Sequence, residues 1–91
     1  MSTKATVEQQ QLIDRWIEQD PYKRGPADVR TTEGVHVWAL IGYLPAVGND
    51  IAQTARDYEL PVEAVEAAVA YYETHREVID GRLEANDAWV L

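Results

Sequence analysis

The segment from Pro61 to Asn86 carries apolar residues at alternating steps of three and four, the spacing of one α-helix face. The residues on this face are Val62, Val65, Val69, Tyr72, Ile79 and Leu83. A second apolar row joins it only before His75: Ala64, Ala67, Ala68 and Tyr71. A wide apolar stripe belongs in a domain core, whereas a narrow one fits contact with another helix. The pattern therefore predicts one long helix over 61–86 that is packed in the core at first and protrudes after His75.

The first third of the chain predicts a helix followed by a small hairpin. Thr6 and Gln9 have the spacing of a capping box, which indicates a helix over 6–19. Residues 28–37 contain two short extended pieces around a turn at 32–33, which is typical of a β-hairpin. Strands this short need a helix or a second copy of the chain to cover them.

The middle of the chain predicts two further helices. Apolar spacing indicates a helix over 37–44 that ends or distorts at Pro45, and Asp50 opens another that continues to Tyr58. Helix, turn, short helix, turn, longer helix is the order of a helix-turn-helix unit. We therefore expect a mainly α fold with a helix-turn-helix, a short β-hairpin before it, an N-terminal helix and a long C-terminal helix.

Three regions follow from this reading. We assign 1–27 to the N-terminal helix and linker, 28–86 to the helix-turn-helix domain with its hairpin, and 87–91 to a C-terminal tail.

Charge and composition narrow the classes of function. The chain has 16 acidic and 8 basic residues and a formal net charge of −8, which argues against a protein that depends on phosphate contacts. It has no cysteine, which excludes disulfides, cysteine–zinc sites and thiol catalysis. The N-terminal segment lacks the apolar run of a signal peptide, and no stretch has the length of a membrane span, so we expect a cytoplasmic protein.

Catalytic signals are weak. His36 and His75 lie in different predicted elements, and the sequence has no metalloprotease, P-loop or nucleophile-elbow motif. We expect no enzymatic activity, no cofactor and no metal.

Several short features, in order, resemble the family catalogued as domain of unknown function 433, small bacterial and archaeal proteins regarded as VapB-type antitoxins. The similarity covers roughly 28–86. The matching features are Val37-Trp38 opening a helix, Gly48 before the next one, Asp57-Tyr58, Leu60-Pro61, Ala67-Ala68, Tyr71-Tyr72, His75-Arg76-Glu77 and Ile79-Asp80.

This resemblance implies a homeodomain-like helix-turn-helix, a homodimer, operator DNA as a ligand and a neighbouring toxin, usually a PIN-like nuclease, blocked by the C-terminal segment. The chain departs from the family pattern at three places. Thr32 to Val37 replace a Gly-Thr-Arg-Ile-Pro-Val hairpin, Pro45 replaces a helical residue, and Glu66 and Glu73 occupy third-helix positions where basic residues are frequent.

The candidate DNA contacts are basic residues outside the third helix: Lys23, Arg24, Arg30 and Arg56. Residues 61–87 hold seven acidic and two basic side chains, and carboxylates repel phosphate. The helix-turn-helix can equally serve as packing architecture alone.

The candidate contacts with a partner protein lie near the C-terminus, where a tryptophan has little core available and suits an interface. They are Arg76, Ile79, Arg82, Leu83, Trp89 and Leu91. On the family analogy, Arg76 and Arg82 would plug the carboxylate cluster of a PIN-like active site. More often, arginines at such positions are solvated partners of acids three or four residues away, here Glu73, Glu77 or Asp80.

The candidate dimer contacts are Val29, Val35, Ile13 and Trp16, although a helical cap within one chain also explains the last two. The leading interpretation is an antitoxin-like protein that neutralises a PIN-like nuclease, with operator DNA as a further ligand. The alternatives are an adaptor that only binds protein and a stand-alone transcription regulator.

Overall fold

The structure, a computed structural model, describes residues 4–90. It is 63% helical, with five α-helices and a two-stranded antiparallel hairpin in those residues, which confirms the mainly α class with a short β-hairpin. The elements in chain order are α1 (Val7–Trp16), β1 (Ile17–Gln19), β2 (Val29–Thr31), α2 (Val37–Tyr43), a 3₁₀ turn (Leu44–Val47), α3 (Ile51–Asp57), α4 (Val62–Thr74) and α5 (Arg76–Val90).

Helix α4 is the centre of the core. It buries seven of its 13 residues, and α1, α2 and α3 all pack against it. Its alanines allow the neighbouring helices to approach closely, because small side chains leave little distance between helix axes. The buried core residues around it include Val37, Leu40, Ile41, Leu44, Ala55, Leu60 and Ile79.

Helix α1 ends earlier than the sequence pattern predicts. The capping box at its start is present. The Thr6 hydroxyl accepts from the backbone N–H of Gln9, and the Gln9 side-chain oxygen accepts from the backbone N–H of Thr6. The helix stops at Trp16, and Ile17 is extended, so the prediction of a helix as far as Gln19 is wrong. The freed segment becomes β1, which satisfies the backbone groups along one edge of β2.

The hairpin is therefore built from other strands than expected. β1 pairs with β2 in the register Ile17 to Thr31, and a loop over 20–28 joins them. The hairpin predicted inside 28–37 is reduced to a single bridge between Arg30 and His36. Val29 and Thr31 of β2 are buried within the chain, so of the two covers expected for the strands, a helix or a second copy, the chain's own helices supply one.

The middle elements follow their local signals. Pro45 converts the end of α2 into a 3₁₀ turn, and Gly48 closes it with a left-handed φ of 65°. The side chain of Asp50 accepts the backbone N–H of Gln53 at 2.9 Å and so caps α3.

The long C-terminal helix is divided in two at His75, which corrects the prediction of one helix over 61–86. His75 has φ −137° and ψ 38°, outside the helical region. The Thr74 hydroxyl donates to the carbonyl of Tyr71 at 3.0 Å, and the His75 ring stacks on Tyr71 at 3.9 Å. These local side-chain contacts compete with helical continuation.

The break turns α5 back onto the domain. Ile79 is 0% exposed, and Leu83 lies against α2, where a Cβ on Gly42 would meet the Leu83 Cδ2 atom at 3.1 Å. Ile79 is covered within the chain and Leu83 is covered in part, which corrects the expectation of a protruding helix.

Candidate partner-binding groove

The predicted DNA contacts lie on three separate elements. Lys23 and Arg24 are exposed in the β1–β2 loop, beside Tyr22, which is 92% exposed. Arg30 on β2 is 2.9 Å from a carboxylate oxygen of Glu18 on β1. Arg56 is exposed on α3 and donates to the side chain of Gln53. Only the loop therefore presents two adjacent cations without a described acidic partner.

After Val62, the exposed positions of α4, the helix that would read DNA in this order of elements, are acidic. They include Glu63, Glu66 and Glu73, and Glu73 also accepts from the side chain of Gln9 on α1. The other sides of α4 are covered by neighbouring helices. A recognition helix needs an open face with donors for phosphate and bases, and α4 does not offer one.

Two of the predicted partner contacts are used within the fold instead. Ile79 is a core residue, which corrects its placement on a free face. Arg82 donates to both carboxylate oxygens of Asp28, at 2.6 and 3.0 Å, and so ties α5 to the β1–β2 loop. This hydrogen-bonded pair holds the pKa of Asp28 below its usual range and raises the pKa of Arg82.

Two of the remaining C-terminal candidates, Leu83 and Arg76, have described side chains. Leu83 is partly buried against the core but still lines a surface groove. Arg76 is exposed, and its guanidinium lies 5.2 Å from the ring centre of Tyr72. Leu91 lies outside the described residues, and so does the side chain of Trp89.

The predicted dimer contacts are occupied within one chain. Val29 is buried, and Val35, Ile13 and Trp16 are partly buried against the core. The arrangement matches the alternative of a helical cap for Ile13 and Trp16. Their use between two copies stays a prediction.

A groove of about 650 Å³ runs between the 3₁₀ turn on one side and α4 and α5 on the other. It has an apolar floor and a polar rim. The floor consists of Ile41, Gly42, Leu44, Pro45, Ile51, Val69, Tyr72 and Leu83, and the rim of Asn49, Glu73, Arg76, Asp80 and Asp87. Its size lies in the range of ordinary ligand pockets.

The rim is predominantly acidic. Three carboxylates face one guanidinium there, and the guanidinium of Arg76 is stacked on Tyr72. Tyr72 donates its hydroxyl to Asp80 at 2.8 Å, and this bond raises the pKa of Tyr72. The bond fixes the Asp80 carboxylate at the edge of the apolar floor.

A second, shallower pocket of about 330 Å³ adjoins the groove and shares Gly42, Leu83 and Asp87 with it. Its walls also include Trp38, Ala39, Tyr43, Tyr58 and Asn86. The rings of Tyr43 and Tyr58 meet edge to face, with centres 5.2 Å apart. Tyr43 donates its hydroxyl to Asp57, which raises the pKa of Tyr43.

Sequence reasoning found two rim or floor residues of the groove, Arg76 and Leu83, and missed most of the floor. Ile41 and Leu44 had been assigned to a helix face, and Pro45 to a helix end. No local signal shows that these residues face α5, because the contact depends on the break at His75.

The start of the β1–β2 loop is held by a polar cluster. Asp20 accepts the backbone N–H of Tyr22 at 2.8 Å and lies 3.1 Å from Nε2 of His36, whose ring stacks on Trp38. The bond from the Tyr22 N–H is the main reason that the pKa of Asp20 lies below its usual value. These contacts hold the start of the loop whose other end carries Asp28.

Among the residues that the structure describes, no group of three or more histidine, aspartate or glutamate side chains is arranged to hold a metal ion. No helix within residues 4–90 has the length and apolar character needed to cross a bilayer.

Comparisons of the chain with protein-family models, with curated proteins and with solved structures give no match.

Proposed function

We propose that this chain is an antitoxin-like binding protein that holds a basic partner protein in the groove between the 3₁₀ turn, α4 and α5. The observation that carries the proposal is the combination of an apolar floor with an acidic rim in one groove. The proposed partner is a nucleic-acid-processing toxin, such as the PIN-like nuclease that the resemblance to antitoxins implies.

The floor supplies the affinity of this contact. Val69, Tyr72 and Leu83 are partly exposed apolar side chains on two helices, and covering such surface contributes roughly 25 cal/mol per Å² of apolar area removed from water. An amphipathic helix with apolar residues at steps of three and four fits a groove of this kind.

The charges supply the specificity. A protein that acts on RNA or DNA carries basic surface, because its substrate is a polyanion. An acidic chain of net charge −8 attracts such a surface over long range and accelerates its association. The same charges oppose operator binding through α4, so DNA contact is left to Lys23 and Arg24 of the β1–β2 loop.

The proposal assigns the chain no catalysis and places it in the cytoplasm, where a nuclease toxin finds its RNA. An adaptor that binds a basic protein other than a toxin uses the same groove, and the identity of the bound protein separates the two roles. A homodimer stays a prediction for the free protein.

The groove is tested with a synthetic 16-residue helical peptide that has leucines at positions 1, 4, 5, 8, 11 and 12 and lysines elsewhere, a pattern on the order of four helical turns. Binding is followed by NMR shifts of the Val69 and Leu44 methyl groups. We expect saturable shifts with this peptide and none with a control peptide in which glutamates replace the lysines. Equal binding of both peptides, or unmoved methyl groups, would refute the proposed groove.

A matched pair of variants tests the rim. Asp87 and Glu84 are both exposed on α5, but only Asp87 lines the groove. We expect Asp87→Lys to weaken peptide binding about fivefold, since a rim charge pair contributes on the order of 1 kcal/mol, and Glu84→Lys to change it less. Equal effects of the two substitutions would mean that only overall charge matters.

The partner itself is sought by capture with the tagged protein from its native host at moderate salt. A stoichiometric basic nuclease that Glu84→Lys recovers like the wild type and Asp87→Lys recovers in smaller amount supports the antitoxin role. Equal recovery of the same protein by both variants contradicts binding through the groove.

A further inference from the structure

The pocket beside the groove contains two hydrogen-bond donors for which the described residues supply no acceptor. Nε1 of Trp38, on α2, and Nδ2 of Asn86, on α5, are buried and have no hydrogen-bond partner in the part of the chain that the structure describes. Both residues line the same pocket. Buried polar groups almost always have a partner, and leaving one without a partner costs free energy.

Two donors without a matching acceptor define the chemistry of the missing group. It must accept hydrogen bonds, and it must tolerate the carboxylate of Asp87, the charged side chain on the pocket wall. An anionic ligand is repelled by that carboxylate. The complementary group is therefore an uncharged oxygen, of which the amide carbonyl is the strongest acceptor common in proteins.

The rest of the pocket wall accepts an apolar neighbour. The rings of Tyr43 and Tyr58 and the side chain of Leu83 form its surface, and the hydroxyl of Tyr43 is already used by Asp57. A peptide segment combines an uncharged acceptor oxygen with an apolar neighbour, because each main-chain carbonyl lies within a few ångströms of a side chain.

We propose that this pocket binds a main-chain carbonyl of the partner segment, with the Trp38 indole N–H and the Asn86 amide N–H donating to its oxygen. The inference rests on the proposed function, because the pocket shares Gly42, Leu83 and Asp87 with the groove and one segment can reach both. Both nitrogen atoms are buried, so binding requires side chains of the pocket wall to rotate, a common change at interfaces.

The indole N–H of Trp38 reports on this contact directly. Its resonance in a ¹⁵N–¹H correlation spectrum is assigned by its loss in Trp38→Phe, and the probe is N-acetyl-leucine methylamide, which carries peptide carbonyls and one apolar side chain. We expect a saturable downfield shift of the Trp38 indole proton and no shift of the Trp16 indole proton. An indole proton that already has a hydrogen-bonded shift in the free protein and does not move overturns the inference.

This experiment separates the two proposals. The methyl groups of Val69 and Leu44 report on the groove, and the indole of Trp38 reports on the pocket. If the leucine–lysine peptide moves the methyl groups but N-acetyl-leucine methylamide leaves the indole proton unmoved, the groove stands and the carbonyl site fails. If N-acetyl-leucine methylamide moves the indole while the peptide moves no methyl group, the carbonyl site stands and the proposed function fails.

A variant pair tests the amide donor without relying on the indole. Asn86→Leu removes the donor at similar size, and Glu84→Leu, at an exposed position of the same helix, corrects for helix propensity. Relative to Glu84→Leu, we expect Asn86→Leu to bind the probe about tenfold more weakly and to unfold at an equal or higher urea concentration. Earlier unfolding with unchanged probe affinity would show that the amide serves only the fold.

Discussion

Replacing Arg82 by Met tests whether this arginine belongs to the fold or to a partner. In the structure its two terminal nitrogens donate to the two carboxylate oxygens of Asp28, at 2.6 and 3.0 Å. The two residues are 54 positions apart, so the pair exists only when α5 is docked against the β1–β2 loop. Met keeps most of the apolar stem of Arg82 and removes the charge.

The expected magnitude follows from the exposure of the two side chains, 26% for Arg82 and 9% for Asp28. A solvent-exposed ion pair contributes about 0.2–1 kcal/mol, and breaking a buried pair costs about 3–5 kcal/mol. This pair lies between these limits because its carboxylate is buried and its guanidinium is partly in water. We expect Arg82→Met to lower the free energy of unfolding by about 2 kcal/mol and Tm by about 10 °C.

The assay is urea unfolding followed by circular dichroism for the wild type, Arg82→Met, Asp28→Asn and the double variant. The cycle isolates the coupling between the two side chains, which we expect to exceed about 1 kcal/mol at pH 7. Arg82 lowers the pKa of folded Asp28 below the ordinary value of 3.8. The coupling is therefore complete above pH 3.8 and lost as the pH falls through the lower, folded pKa.

A coupling under about 0.5 kcal/mol at pH 7 would refute this reasoning, because the effects of two substitutions at independent sites add to within that amount. Arg82 would then be available to plug a carboxylate cluster of a partner, as the resemblance to antitoxins implies. A coupling that does not decline in acid would show that the effect of Arg82 comes from packing and not from charge.

Three further substitutions test the fold around the groove. Gly81→Ala in α5, where an added Cβ meets nothing within 4 Å, should raise the free energy of unfolding by about 1 kcal/mol; an unchanged thermal melt would contradict this. Ile79→Ala should lower it by about 2–5 kcal/mol in urea, because the side chain is 0% exposed; a neutral effect would place Ile79 outside the core. Asp50→Ala should cost about 1 kcal/mol in the same assay, whereas Asp50→Ser should keep most of the cap of α3.

The features predicted correctly depend on residues close together in the chain. The capping box at Thr6, the end of α2 at Pro45 and the turn at Gly48 each rest on a bond or a dihedral angle within four residues. Such local signals act before any tertiary contact forms, so the sequence pattern alone is enough to detect them.

Contacts distant in sequence contribute to the main errors in the fold. Ile17 continues the apolar spacing of α1, yet it is extended because β2 offers a partner strand. The helical spacing also continues across His75, so periodicity does not reveal the break. The break is stabilised by the burial of Ile79 against residues far away in the chain.

The same limit applies to the site. The acidic character of α4 and α5 was predictable from composition, and Glu66 and Glu73 are exposed as that reading requires. The groove was not predictable, because Leu44, Val69 and Leu83 lie on three elements that meet only after the chain reverses at His75. A continuous helix would have carried Leu83 away from α2.

The position of α4 finally bears on the charge of the chain. In a DNA-reading helix-turn-helix the third helix exposes one face to the major groove of the DNA. Here three helices pack around α4, and its exposed positions include Glu63, Glu66 and Glu73. A net charge of −8 destabilises a small domain through self-repulsion, so the fold alone gives no reason for it. A basic partner removes that repulsion when it binds. The proposed complex must therefore weaken as salt rises, and one that is insensitive to salt would separate the acidity of the chain from its function.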